Sequence, residues 1–199
     1  MSRRSASQEL AEIADLLGAW SFTESSWAGP GVVPFGEDVL HSPTQPVETF
    51  NDDLKTITDY MIEIMHEREG VGLAANQIGL PLRMFVHNMP RVAPPVIVNP
   101  RIVETSGSWQ YSEGCLSMTI EGTHAPLKRP KYLVVECVDL QGRPLRIEAD
   151  EWLSRVFQHE IDHLDGVVYA ERLVGAHRSR VFKLMKAAGT PTERLGDLG

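Results

Sequence analysis

Between Asp150 and Gly166 the chain carries Gln158-His159-Glu160-Ile161-Asp162-His163, beside Val156, Phe157, Ile161 and Leu164 at helical spacing. This predicts a helix from about Ala149 to Leu164, stopped at Gly166. On it His159 and His163 are i and i+4, so both imidazoles leave one face a turn apart. Two imidazoles so placed can share one metal ion, with Glu160 beside an open coordination position as general base. A charged helix face with two incidental histidines is the plainer alternative, but the apolar neighbours make this a core-facing helix. The rest of the chain must therefore wrap this helix and complete its site.

The 199 residues suit one compact domain with at most a short appendage. Leu10, Ile13 and Leu17 suggest a short helix over 6–19, followed by a Gly-, Pro- and Ser-rich stretch over 21–48. Asn51 then opens an amphipathic helix to about Arg68, with Leu54, Ile57, Met61, Ile64 and Met65 in one stripe and Gly70 as its stop. Short β-like runs follow at Arg83–His87, Val96–Val98, Arg101–Thr105, Trp109–Ser112, Lys131–Asp139 and Pro144–Ile147, broken by Pro and Gly. A last helix covers about His177 to Ala187. Helices and strands are segregated rather than strictly alternating, so the fold class is α+β.

Two histidines leave the site short of a ligand. Downstream, Glu171, His177 and Glu193 fall in or near a basic helix and a polar tail. Upstream, Cys115 stands in Glu113-Gly114-Cys115-Leu116-Ser117, where a thiolate beside Gly has room to approach an ion. One sulfur, two nitrogens and a water make a reasonable catalytic shell. A free cysteine is also commonly a small buried hydrophobe. That second reading suits Cys137, which alternates within Leu133–Val138 like a core strand residue. Two cysteines exclude a disulfide scaffold and favour a cytoplasmic setting. A net charge of −8 argues against a general nucleic-acid coat and against DNA as a partner. Glu9, Glu12 and Asp15 interrupt any signal-peptide core, and no run approaches about 18 apolar residues, so no membrane partner is expected.

A third segment, Gly70-Val71-Gly72-Leu73-Ala74-Ala75-Asn76-Gln77, pairs small residues with a terminal amide; it lacks the spacing of a phosphate loop. Together, this segment, the Glu113–Ser117 segment and the Gln158–His163 segment resemble the three signature motifs of peptide deformylases, in the family's order and at about its spacing. The resemblance spans roughly residues 33–188. It implies an N-terminal extension over 1–32, a catalytic domain over 33–188 and a tail over 189–199. The implied fold has antiparallel strands packed around a central metal-binding helix. The implied activity removes the formyl group from N-formylmethionine on newly made, formylmethionyl nascent peptides.

By the same resemblance, Cys115, His159 and His163 hold one divalent ion, for which the family suggests Fe2+, with Zn2+, Ni2+ and Co2+ as alternatives. Glu160 acts as general base, and the Gln77 amide and Leu116 N–H serve the developing oxyanion. Val71, Gly72 and Gly114 pair with the peptide backbone, while Val156 and Trp152 wall the methionine slot. Thr119 and His124 depart from the family pattern after Cys-Leu-Ser. Arg155 stands where an apolar residue is frequent, with a stem able to pack. The last helix carries Arg178, Arg180, Lys183 and Lys186, and in this family such a helix can dock on the ribosome; a solvated basic face is the simpler reading. A zinc endopeptidase with a downstream ligand, a closed structural metal module and a non-turning-over relative are the rival readings.

Overall fold

The computed structural model describes residues 31–90 and 94–193. The helix expected over 6–19 lies outside the described residues. Helix α1 (Asp52–Glu67) begins where Asn51 accepts from the Leu54 N–H at 3.1 Å, and it buries the expected stripe. The left-handed residue at its end is Glu69, with φ 53°, not Gly70. Gly70 is needed for another reason: a Cβ there would meet the Leu116 Cδ1 at 2.7 Å.

Five strands form one antiparallel sheet in the order β1 (Gly72–Ala74), β2 (Met84–His87), β3 (Val96–Ser106), β6 (Tyr132–Val138) and β7 (Pro144–Asp150). A separate ribbon pairs β4 (Trp109–Glu113) with β5 (Ala125–Arg129). Two expectations change. The runs on either side of Pro100 are one strand, because a register shift between Val98 and Arg101 absorbs the proline. Asn99, at φ 52°, anchors that bulge by bonding both the N–H and the carbonyl of Val47 at 2.8 Å. Strands β1 and β5 lacked a pattern, one being Gly- and Ala-rich and the other containing Pro126, which the two-stranded ribbon tolerates.

Helix α2 (Glu151–Leu164) starts two residues later than expected, since Ala149 and Asp150 still pair with Leu133 and Tyr132. Its apolar face buries Phe157, Ile161 and Leu164 against Ala74, Phe85, Ile97, Leu133 and Val135. Phe157 meets Phe85 edge-on at 5.1 Å. Cys137 lies in this same core. Asn76 fastens the other end of α2 by donating to the His163 carbonyl at 2.5 Å. Helix α3 (Gly175–Ala187) packs Val181 and Met185 against Val33, Phe35, Leu127 and Tyr169. The result is a mixed α/β fold with antiparallel sheets. Among the described residues no helix is long and apolar enough to cross a membrane.

Candidate active site

The end of β4 carries Glu113, and the turn after it presents Cys115, closed by the Met118 N–H on the Cys115 carbonyl at 2.9 Å. Helix α2 brings His159 and His163 to meet it. One ligand atom from each of the three lies within 4.8 Å of the others. The Cys115 Sγ is 3.2 Å from the His163 Nε2. The downstream candidates do not join them. Glu171 instead accepts from the Val168 N–H at 2.5 Å and faces His41 at 3.5 Å.

Three features fit this group to a divalent ion of borderline softness. The donors are one sulfur and two imidazole nitrogens, a set that zinc and ferrous iron both accept. Glu113 engages the His159 Nδ1 at 3.2 Å, which fixes the ring and leaves Nε2 as the ligand atom. Beside them Glu160 is buried, and its Oε2 has no hydrogen-bond partner, so a donor is wanted there.

Burial pushes the Glu160 carboxyl up to about 7. Burial works the same way on Glu113, yet hydrogen bonds from His159 and Arg129 prevail and hold it at about 2. For His159, burial opposes the charged form, but Cys115 and Glu113 outweigh it and raise the pKa. For His163, burial and the neighbouring His159 both lower it. The two imidazoles are thus made unequal by what each one touches.

Gln77 is oriented by its neighbours. Its Oε1 accepts from the Ala74 N–H at 3.0 Å, which turns Nε2 towards the Ser117 Oγ at 3.2 Å and the Cys115 Sγ at 3.5 Å. A cavity of about 610 Å³ opens over the group. Val71, Gly72, Gln77, Gly114, Cys115, Leu116, Trp152, Val156, His159 and Glu160 line it, whereas His163 is fully buried. Trp152 stands at its rim, 44% exposed, meeting Tyr111 at 4.6 Å and Trp109 at 5.7 Å edge-on. Thr119 and His124 line it as well.

Gly72 is required by close approach. A Cβ there would lie 2.9 Å from the Glu160 Cδ and would overlap its Oε1. If Glu160 is the general base its sequence context implies, Gly72→Ala is expected to displace the carboxylate and lower kcat at least about tenfold, since small misplacements at reacting groups are costly. Steady-state kinetics beside a thermal melt would check this; full activity in Gly72→Ala would contradict the packing.

Sequence reasoning missed the ionic support under the site. Arg129 is forked onto Glu113 at 2.7 and 2.9 Å and reaches Asp162 at 2.7 Å, and Asp162 also pairs with Arg172. Arg155 was expected to pack by its stem, but the whole side chain is buried and its guanidinium pairs with Glu113. The adjacency of Glu113 to the Cys115 turn was the one available signal.

Comparison with known proteins supplies the context for this geometry. The family model described as "Polypeptide deformylase" matches residues 31–179. The chain is 40% identical over 164 residues to peptide deformylase 2 of Streptomyces avermitilis, covering 80% of this chain and 86% of that protein. It is 38% identical over 155 residues to the peptide deformylase of Brucella suis, covering 75% and 87%. Among solved structures, the Thermus thermophilus peptide deformylase superposes with a TM-score of 0.72 at 38% identity, covering 80% of this chain and 94% of that one. The Synechococcus elongatus peptide deformylase, in complex with actinonin, gives a TM-score of 0.75 at 32% identity, covering 82% and 90%.

Proposed function

The chain belongs to the peptide deformylase family, and on that premise we propose that it hydrolyses the formamide of N-formylmethionine on newly made proteins. Members of this family are metal-dependent hydrolases that remove the N-formyl group from nascent peptides. The observation that carries the reading is the convergence of Cys115, His159 and His163 ligand atoms beside the unpartnered Glu160 oxygen.

In this reading α2 is the central metal-binding helix. Cys115, His159 and His163 hold the ion, and Glu113 steadies His159 through Nδ1. When bound, the ion supplies Lewis acidity and lowers the pKa of a water from 15.7 towards about 7. Glu160 takes the proton of the attacking water at Oε2 and later delivers it to the leaving amine. The Gln77 Nε2 and the Leu116 N–H donate to the formyl oxygen as its charge grows. Strand β1 is the end strand of the sheet, so Val71 and Gly72 can offer backbone groups to an added peptide, with Gly114 opposite. Val156 walls the methionine slot and Trp152 caps it. We divide the chain into an extension over 1–32, a catalytic unit over 33–188 and a tail over 189–199, take the ion to be Fe2+, and assign the protein to the cytoplasm.

A formylmethionyl peptide of about eight residues tests the reaction class. Formate and the otherwise intact peptide are the expected products; internal cleavage would favour an endopeptidase and overturn the proposal.

The basic helix α3 is proposed to meet ribosomal RNA. Arg180 is not free for this, because it bonds the carbonyls of Gly122 and His124. Lys183 and Lys186 are exposed and remain available. Reversing both to Glu should weaken ribosome co-sedimentation more at low salt than at moderate salt. Removing the helix instead would strip the buried Val181 and Met185 from the core. Unchanged co-sedimentation of the double variant would sink the idea.

A further inference from the structure

Arg155 is a buried cation beside Glu113, in a cluster where Arg129 already contacts both buried carboxylates, Glu113 and Asp162. Its side chain is 3% exposed and reaches from α2 to carbonyls of both strands of the β4–β5 ribbon. Two carboxylates, Glu113 and Asp162, already face the guanidinia of Arg129 and Arg172. Arg155 adds a third guanidinium to that group. An apolar side chain of similar length would fill the same space without burying charge. The position therefore calls for an account beyond packing.

The contacts of Arg155 supply one. Its guanidinium lies 5.0 Å over the Trp109 ring, and it donates to the Trp109 carbonyl at 2.9 Å and the Leu127 carbonyl at 3.2 Å. The ribbon thus fixes it on two sides. Its NH1 also donates to the Glu113 Oε1, while Arg129 approaches the same carboxylate through Nε and NH2. That leaves the Glu113 Oε2 turned to the His159 Nδ1 at 3.2 Å. Carboxylate rotation would break the His159 contact; Arg129 spans both oxygens and shares Oε2 with His159, and Arg155 adds a second hold on Oε1. It also lines the substrate cavity, so one side chain borders both the slot and the support of a ligand imidazole.

We propose that Arg155 is a positioning residue, which locks Glu113 in the orientation that aims His159 at the ion. This rests on the deformylase reading of the Cys115, His159 and His163 group. It requires no contact between Arg155 and the reacting atoms. A merely structural Arg155 would affect stability and leave metal affinity alone. A positioning Arg155 acts on metal affinity, and only while Glu113 is there to transmit the effect.

Co2+ affinity, read by chelator competition and by thiolate-to-cobalt absorption, separates the two. Arg155→Met should weaken Co2+ binding by about tenfold, the low end of the 10–100-fold range for loss of an outer-shell partner. In a Glu113→Gln background the same substitution should add no further loss. Arg155→Lys keeps the charge but not the fork, and it carries the test should Arg155→Met not fold; a smaller loss, again absent without Glu113, is expected. Wild-type Co2+ affinity in the Arg155 variants, or an equal loss with and without Glu113, overturns the proposal. Absence from the wild-type protein of a thiolate–cobalt band that Cys115→Ala abolishes would instead overturn the metal-site reading beneath it.

Discussion

Replacing Glu160 with Gln is expected to lower kcat by about 10²–10⁴-fold, the range that a positioned general acid–base contributes. The substitution is nearly isosteric, so the packing against Gly72 is kept. The change falls on chemistry alone: an amide oxygen cannot take the water's proton, and an amide nitrogen cannot relay it to the leaving amine. Glu160 is not one of the three converging ligands, so metal content should equal that of the wild type. The pair of readouts matters. Loss of turnover with metal retained assigns Glu160 to proton transfer. Loss of both would make it a determinant of the site's assembly, and retained turnover would remove it from the mechanism.

The second large effect is expected at Gln77. Gln77→Leu should reduce kcat by about 10²–10³-fold, as removal of one oxyanion donor does elsewhere. The KM for a formylmethionyl peptide should change much less, because the donor serves charge that exists only in the transition state. Leucine also abandons the Ala74 N–H and Ser117, so some loss of stability accompanies it. Gln77→Glu separates the two roles. It keeps an acceptor for Ala74 yet supplies no amide donor, so kcat should remain low, and burial of the carboxylate beside Cys115 costs stability as well. Recovery of kcat in Gln77→Glu would show that Gln77 supports the loop and not the oxyanion.

How much of this was legible in the chain depends on the range of the signal. Helix α2 was readable because Val156, Phe157, Ile161 and Leu164 keep one period, and His159 and His163 ride on it. Cys115 was found by what the two histidines lacked, since its own surroundings fit a buried thiol equally well. Pro100 misled, because a bulge anchored by Asn99 lets one strand pass through it. Strand β1 was hidden by its glycine, whose small size serves Glu160 and not a turn. The ionic support was out of reach. Glu113 finds its partners 16, 42 and 46 residues away, and no local pattern says which guanidinium will be buried. Arg155 shows this most plainly, since from its neighbours alone it reads as an arginine in a position usually apolar, with only its stem packed.

On the proposed function, Cys115, His159 and His163 as ligands and Glu160 as the carboxylate form a working deformylation site. The most direct measurement is amine release from a formylmethionyl dipeptide by anaerobically purified protein, with bound metal determined on the same samples. The account predicts turnover in proportion to metal content, abolished by chelation, restored by Fe2+ or Co2+, and lost in Cys115→Ala together with the metal. Fully loaded protein that releases no amine would contradict it.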